Sequence, residues 1–217
     1  MLQQNIIKIY EESFRDNREL PALTDYFKQD TESYSYFEMA KEIAKIHILF
    51  NECKIKPGDK ISLIGRNKPR WCIAFMATIT YGAVIVPILQ DFSSNDVHHI
   101  INHSDSKMLF CGDTYWDNIE TDQIPEIVAA FSLTDFHCFF DRKDGTIAKF
   151  QKEITHHYRN NYHKGITAAD IKYRDIPNDA VIMLNYTSGT TGFSKGVQLT
   201  VNNLTGNIAF CMDQQIR

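Results

Sequence analysis

The sequence has no excess of positive charge: 23 lysines and arginines stand against 27 aspartates and glutamates, a formal net charge of −4. Non-specific nucleic-acid binding rests on clustered cations that neutralise phosphates, so that class is set aside. The five cysteines, at 53, 72, 111, 138 and 211, show no CxxC pair and no finger-like spacing. An odd set without metal spacing reads as buried, reduced thiols in a cytosolic protein. The N-terminus, MLQQNIIKIYEESF, lacks the basic and apolar regions of a secretory signal. There is no Pro- or Gly/Ser-rich linker, no internal repeat and no long block of like charge. Collagen-like, low-complexity and disordered chains are thereby excluded.

One long uncharged run exists, the twenty residues Trp71 to Gln90, about the length of a membrane span. Gly82 and Pro87 divide it, and Thr78, Thr80 and Tyr81 occupy its middle. Its first half has helical spacing (Ala74, Phe75, Thr78, Ile79), and its second, Ala83 to Leu89, is a short β-branched run. Helix, glycine stop and buried strand is the parse, with no transmembrane segment; peripheral membrane contact is left open.

The 217 residues are 43% hydrophobic and 23% charged, a globular composition. On a prior of ~150 residues per domain this is one domain or slightly more. A chain of this size buries roughly 70% of its unfolded surface, so it needs no disulfides.

Ser35 and Glu38 form a capping box for a helix over 36–51, with Phe37, Ala40, Ala44 and Ile48 inward. Pro57-Gly58-Asp59 is a turn into a strand at 60–65. Pro69 opens the next helix and Gly82 ends it. Ser93 or Ser94 caps a short helix carrying Val97, Ile100 and Ile101. Strands are expected at 107–111, 137–140 and 180–186, and the polar stretch 142–178 reads as a helix and surface connection. This alternation predicts an α/β fold with a largely parallel sheet flanked by helices.

The last strand leads into Tyr186-Thr187-Ser188-Gly189-Thr190-Thr191-Gly192-Phe193-Ser194-Lys195-Gly196-Val197. Three glycines fall within eight residues, interleaved with five serine and threonine hydroxyls and one lysine. Glycine lets backbone N–H groups converge closely on an anion, hydroxyls add donors, and lysine supplies a mobile charge. That combination suits a polyphosphate. A Walker A loop would need GxxxxGK[ST] opening a helix, whereas Lys195 is followed by Gly196 and the β-like run Val197 to Leu199. An ordinary hairpin turn would need only two to five residues.

YTSGTTGFSKGV resembles the phosphate-loop signature of the acyl-adenylate-forming (AMP-binding) enzymes. RNKPRWCIAFMATITYGAVIVPI (66–88) and IINHSDSKMLF (100–110) are similar to earlier blocks of the same family, in the manner of AMP-forming long-chain fatty acid–CoA ligases. The likeness runs in order from about Ser35 to Asn203, weakest between 113 and 178. Two positions depart from the family: Ser194, where proline is frequent, and Val201, where a histidine is usual.

The resemblance implies that residues 1–217 are the first part of the large N-terminal domain. The rest of that domain and a mobile C-terminal domain bearing the catalytic lysine would lie elsewhere, so no catalytic residue is assigned here. It further implies ATP, Mg2+ and CoA as co-substrates and cofactor, and a fatty acid as substrate. Thr187, Ser188, Gly189, Thr190, Thr191, Gly192 and Lys195 would wrap the nucleotide phosphates, with Thr190 also toward Mg2+. The implied reaction makes acyl-AMP and pyrophosphate, then acyl-CoA, and the isolated chain is expected to be inactive. An adenylating enzyme for an amino or aryl acid, or a short non-catalytic nucleotide-binding protein, are the alternatives.

Elsewhere, His99 and His103 have the i, i+4 spacing metal sites use, but no acidic or cysteine partner at a matching offset. They read as a solvated helix face, as do His156, His157 and His163. Trp71, Phe75 and Tyr81 read as core.

Overall fold

The computed structural model describes residues 4–27, 30–187 and 195–213. It opens on a helix that the sequence reading passed over, α1 (Ile6–Asp16). The Asn5 side chain caps it by accepting from Ile7 N at 3.0 Å, and Ile6, Ile7 and Phe14 bury on one face. On that face Glu11 is also buried, its carboxylate accepting from the Tyr173 amide at 2.7 Å and pairing with Arg15 and Lys8. A buried carboxylate needs such partners, because leaving it unpaired costs several kcal/mol.

An antiparallel hairpin, β1 (Pro21–Phe27) and β2 (Asp30–Ser35), feeds directly into α2 (Tyr36–Glu52). The predicted capping box is present: Ser35 Oγ accepts from Glu38 N at 3.2 Å, and Glu38 Oε2 accepts from Ser35 N at 2.8 Å. The inward face is broader than expected. Ala40 and Ala44 are buried with Met39, Ile43, Ile46, Leu49 and Phe50, while Phe37 and Ile48 are only partly covered.

The central elements follow as β3 (Lys60–Ile64), α3 (Pro69–Tyr81), β4 (Val84–Ile88), α4 (Ser94–His103) and β5 (Ser106–Cys111). Gly82 takes φ 90° after α3, a left-handed conformation cheap only for glycine, and so turns the chain into β4. Among the described residues no helix is long and apolar enough to cross a membrane.

Chain direction then dictates the layers. From β3 the chain moves to one side to form β4, then back past β3 to form β5, all three parallel. Right-handed crossovers in opposite directions place their helices on opposite faces of the sheet. Accordingly α3 packs with α1 and α2 in one core holding Ile61, Leu63, Ile85 and Phe110. The apolar residues of α4 join a second core holding Ile64, Val86, Ile88 and Leu109. Each fully buried Ile or Phe contributes about 2 kcal/mol.

After a short α5 (Asp113–Trp116) comes β6 (Ala129–Ser132), a parallel neighbour of β5 that sequence reading missed. The expected strand near 137–140 is β7 (Cys138–Asp141), an antiparallel edge strand beside β6. Helices α6 (Thr146–Lys152) and α7 (Ile154–Asn161) occupy part of the polar stretch. The expectation of a surface connection there is corrected: Ile147, Tyr158, Ile166, Ile171, Tyr173 and Ile176 all enter the core. They anchor at irregular intervals and so leave no periodic signal.

The chain closes with β8 (Val181–Thr187), β9 (Lys195–Thr200) and α8 (Val201–Asp213). The main sheet runs β7-β6-β5-β3-β4-β8-β9, parallel inside and antiparallel at both ends. The α/β fold with a mostly parallel, helix-flanked sheet is therefore as predicted. Asn5 ties α1 to the end of the polar stretch through Ile176 O at 2.9 Å, and Ile6 N donates to Thr205 Oγ1 of α8 at 3.1 Å.

Cys53 and Cys111 are buried as expected, but Cys72 and Cys138 are only half-buried and Cys211 is exposed on α8, which corrects the reading of five buried thiols. Burial pushes the Cys53 and Cys111 thiols up to about 12, so neither is a ready nucleophile.

His47 of α2 gives the fold a calculable acid sensitivity. Its ring lies among Phe50, Tyr81 and Tyr173, with Nε2 2.9 Å from Ala77 O. Desolvation holds its pKa down to about 4, against an ordinary 6.5. The unfolded chain therefore binds a proton below 6.5 that the folded chain refuses until about 4. Stability is lost as pH falls through that interval, by up to about 3 kcal/mol. Chemical denaturation at pH 7.5 and 4.5 should show this loss in the wild type and a smaller one in His47→Gln. An equal loss in both would assign the acid sensitivity to other groups.

Candidate functional site

The glycine-rich segment leaves the sheet at the C-terminal end of β8, the edge where parallel strands of α/β sheets present ligand sites. β8 runs parallel beside β4, with Ile85 opposite Met183. Pro87, lacking an N–H, sits in the half of β4 beyond that pair. The outer half of β8 is held by β9, with Asn185 opposite Val197, Tyr186 opposite Gly196 and Thr187 opposite Lys195. The run Val197 to Leu199 is thus a strand, as read, and the segment is closed at both ends by one antiparallel ladder.

Of the seven residues expected to wrap phosphates, the structure describes Thr187 and Lys195. It brings them together as register partners at the mouth of the segment, both exposed. Ser188, Gly189, Thr190, Thr191 and Gly192 lie outside the described residues. Among the described residues no group of three His, Cys, Asp or Glu side chains could hold a metal ion. The His99 and His103 rings stand 5.5 Å apart.

His103 is nevertheless more than a solvated face. Its Nδ1 lies 2.7 Å from the hydroxyl of Tyr186, a residue only 2% exposed. Nothing in the sequence pointed to this, since the two residues are 83 positions apart. The Tyr186 phenol is raised above its ordinary pKa, chiefly by burial and then by the nearby Asp105 carboxylate, so it stays a neutral hydrogen-bonding group.

Val201, at the position where the resemblance led us to expect histidine, is fully buried in the main core, its amide donating to Ala180 O at 3.0 Å. Thr200 and Asn203 close the start of α8 reciprocally, Thr200 N donating to Asn203 Oδ1 at 2.8 Å and Asn203 N to Thr200 Oγ1 at 3.3 Å.

The crevice between β3 and β5, where a doubly wound sheet reverses order, is filled. A Cβ on Gly65 would lie 2.6 Å from Leu133 Cδ1, and Gln90 spans the opening between Gly65 O at 2.9 Å and the Tyr115 hydroxyl at 2.8 Å. Two surface clefts lie away from this edge. One of about 190 Å³ is lined by Glu42, Lys45, Leu49 and Phe136, and one of about 360 Å³ by Asn51, Phe150 and His157.

Gly196 is required by close approach. A Cβ there would stand 3.0 Å from Tyr186 Cζ and 3.2 Å from its hydroxyl, against a ring that is buried and tethered. Gly196→Ala should cost roughly 1–3 kcal/mol, the usual range for overpacking. Urea unfolding of the variant measures this directly, and an unchanged midpoint would show that the ring yields freely.

Residues 10–217 match the family model described as AMP-binding enzyme. The mouse long-chain-fatty-acid–CoA ligase 6 is 26% identical over 185 residues, covering 81% of this chain and 25% of that protein. The crotonobetaine/carnitine–CoA ligase of Proteus mirabilis is 28% identical over 174 residues, covering 79% and 31% respectively. Among solved structures, the anthranilate CoA ligase AuaEII in complex with anthranoyl-AMP superposes with a TM-score of 0.74 at 17% identity, over 97% of this chain and 38% of that one. The chain thus spans between a quarter and two-fifths of the length of these relatives. With a match over nearly its whole length and the glycine-rich segment at the expected edge of an α/β sheet, the chain belongs to the AMP-binding enzyme family.

Proposed function

We propose that this chain is the nucleotide-phosphate-binding part of an ATP-dependent fatty acid–CoA ligase, which converts a fatty acid and ATP to acyl-AMP and pyrophosphate and then to acyl-CoA. The observation that carries the reading is the pairing of Thr187 with Lys195, which holds a segment of glycines and hydroxyls at both ends on the ligand edge of the sheet. The family match and the named CoA ligases among its relatives support the same reading.

The chemistry asks for this kind of site. A carboxylate is a weak nucleophile that must approach a polyanion, so fixed donors and cations must neutralise the triphosphate and the departing pyrophosphate. Thr187, Ser188, Gly189, Thr190, Thr191 and Gly192 would supply backbone and hydroxyl donors, and Lys195 a charge at the mouth. Magnesium would arrive with ATP and add Lewis-acid neutralisation of the phosphates, with Thr190 the hydroxyl that would help hold it. The acid would be a long- or medium-chain fatty acid, and CoA the thiol acceptor. In the cytoplasm the protein would meet all three substrates. Because the chain spans so small a part of its relatives, residues 1–217 alone would be inactive.

Acid-dependent ATP–pyrophosphate exchange tests the reading, on the whole gene product with an acid panel from acetate to palmitate plus amino and aryl acids. Exchange should be driven by long acyl chains. Lys195→Ala should reduce it roughly 10- to 100-fold, the worth of a charge-assisted hydrogen bond. Exchange driven by amino or aryl acids instead would keep the adenylation and move the substrate class. No exchange with any acid would sink the ligase assignment.

A further inference from the structure

Tyr186 is the last buried side chain before the glycine-rich segment, and three independent elements meet on it. It belongs to β8 and lies in the core formed with α4. Its ring is faced from β9 by Gly196, where no side chain intervenes. Its hydroxyl is held from α4 by His103 Nδ1 at 2.7 Å, with the two rings nearly perpendicular at 87°. A hydroxyl this deeply buried must have a partner, and among the described residues His103 supplies one.

The support behind His103 is stiff. Ser93 and Asp96 close the N-terminus of α4 with a reciprocal capping box, Asp96 N donating to Ser93 Oγ at 3.3 Å. Near its other end Asn102 Nδ2 donates to Gln123 O at 2.7 Å, and just beyond it Ser104 Oγ donates to Ile101 O at 3.1 Å. The imidazole itself is exposed, so it contributes little to the core; what it offers is a fixed hydrogen-bonding partner.

We infer that His103 is a positioning residue for nucleotide binding: through Tyr186 it fixes the two strand ends, Tyr186-Thr187 and Lys195-Gly196, from which the phosphate-binding segment springs. This rests on the proposed nucleotide reading for its functional consequence, and on the hydrogen bond alone for its structural one. The bond ties β8 to α4 across 83 positions of sequence, one residue before Thr187. Without it, Tyr186 is free to tilt and Gly196 to follow, so the register partners Thr187 and Lys195 lose their common reference.

The test uses the whole gene product and four variants: His103→Ala, His103→Asn, Tyr186→Phe and the double variant His103→Ala/Tyr186→Phe. Asparagine places a polar atom near the position of Nδ1, and phenylalanine keeps the ring volume, so neither asks the core to repack. Two quantities are read. Hydrogen–deuterium exchange of the peptides covering 184–187 and 195–198 reports the strand ends without requiring activity. The KM values for ATP and for the acid in pyrophosphate exchange report the functional consequence.

The expected result is faster amide exchange at both strand ends in His103→Ala and Tyr186→Phe. The KM for ATP should rise roughly fivefold, the worth of one hydrogen bond, with the KM for the acid unchanged. The double variant should be no worse than either single one, and His103→Asn should recover most of the wild-type behaviour. Unchanged amide exchange in both single variants would overturn the inference, as would additive effects in the double variant. If the wild type supports no pyrophosphate exchange, the ligase reading fails while the amide-exchange comparison still decides the role of His103.

Discussion

Parallel strands cannot be joined by tight turns, and that constraint shapes nearly everything in this chain. Each parallel neighbour demands a crossover, and each crossover places a helix on a face of the sheet. Moving outward from β3 to β4 and then back to β5 puts α3 and α4 on opposite sides, so both faces of the central strands are buried. The chain departs from this rule at the sheet's two margins, where β7 and β9 return antiparallel. At the β8 margin the return is made by β9, which pairs antiparallel with β8, and the glycine-rich segment lies between the two in sequence.

That choice has an electrostatic consequence. When a glycine-rich loop runs from a strand into a helix, the helix N-terminus contributes partial positive charge and free N–H groups to a bound phosphate. Here the segment runs from strand to strand, with Lys195 the first residue of β9. On the proposed reading, attraction for an anion must come from the segment's own amides and hydroxyls and from Lys195. This accounts physically for five hydroxyls and a lysine in so short a stretch. It also makes the geometry of the two strand ends matter more, because no helix axis fixes the direction of the donors.

Much of this architecture was legible in the sequence because its signals are local. The Ser35–Glu38 box, the glycine at 82 and the cap at Ser93 or Ser94 each act over three or four residues, and each formed, the last at Ser93. The unread parts lacked that locality. β6 is Ala129-Ala130-Phe131-Ser132, with no β-branched residue to mark it, and is a strand because β5 and β7 flank it. The stretch 162–180 is held by Ile166, Ile171, Tyr173 and Ile176, whose spacing follows the groove they fill and neither helical nor strand periodicity. α1 did carry a signal, Asn5 followed by Ile6, Ile7, Tyr10 and Phe14 on one helical face; the polar residues between them diluted it. Thr187 and Lys195, which the resemblance singled out, stand opposite each other in one ladder, whereas the His103–Tyr186 contact exists only once α4 has folded onto β8.

The same distinction separates what this chain says about phosphate from what it says about the acid. A phosphate is small, charged and identical in every adenylating enzyme, so its recognition is confined to a few glycines, hydroxyls and a cation that must sit close together in sequence. A carboxylic acid is recognised by the shape of an apolar pocket, whose walls can be drawn from any element that reaches it, with no fixed spacing. Relatives named for long-chain fatty acids and for crotonobetaine or carnitine match this chain almost equally well. Such near-equality is what a segment shared for its phosphate chemistry should give. On the proposed reading the acid must therefore be read by experiment on the whole protein, while the proposed phosphate segment and the Tyr186 contact beside it can be interrogated one residue at a time.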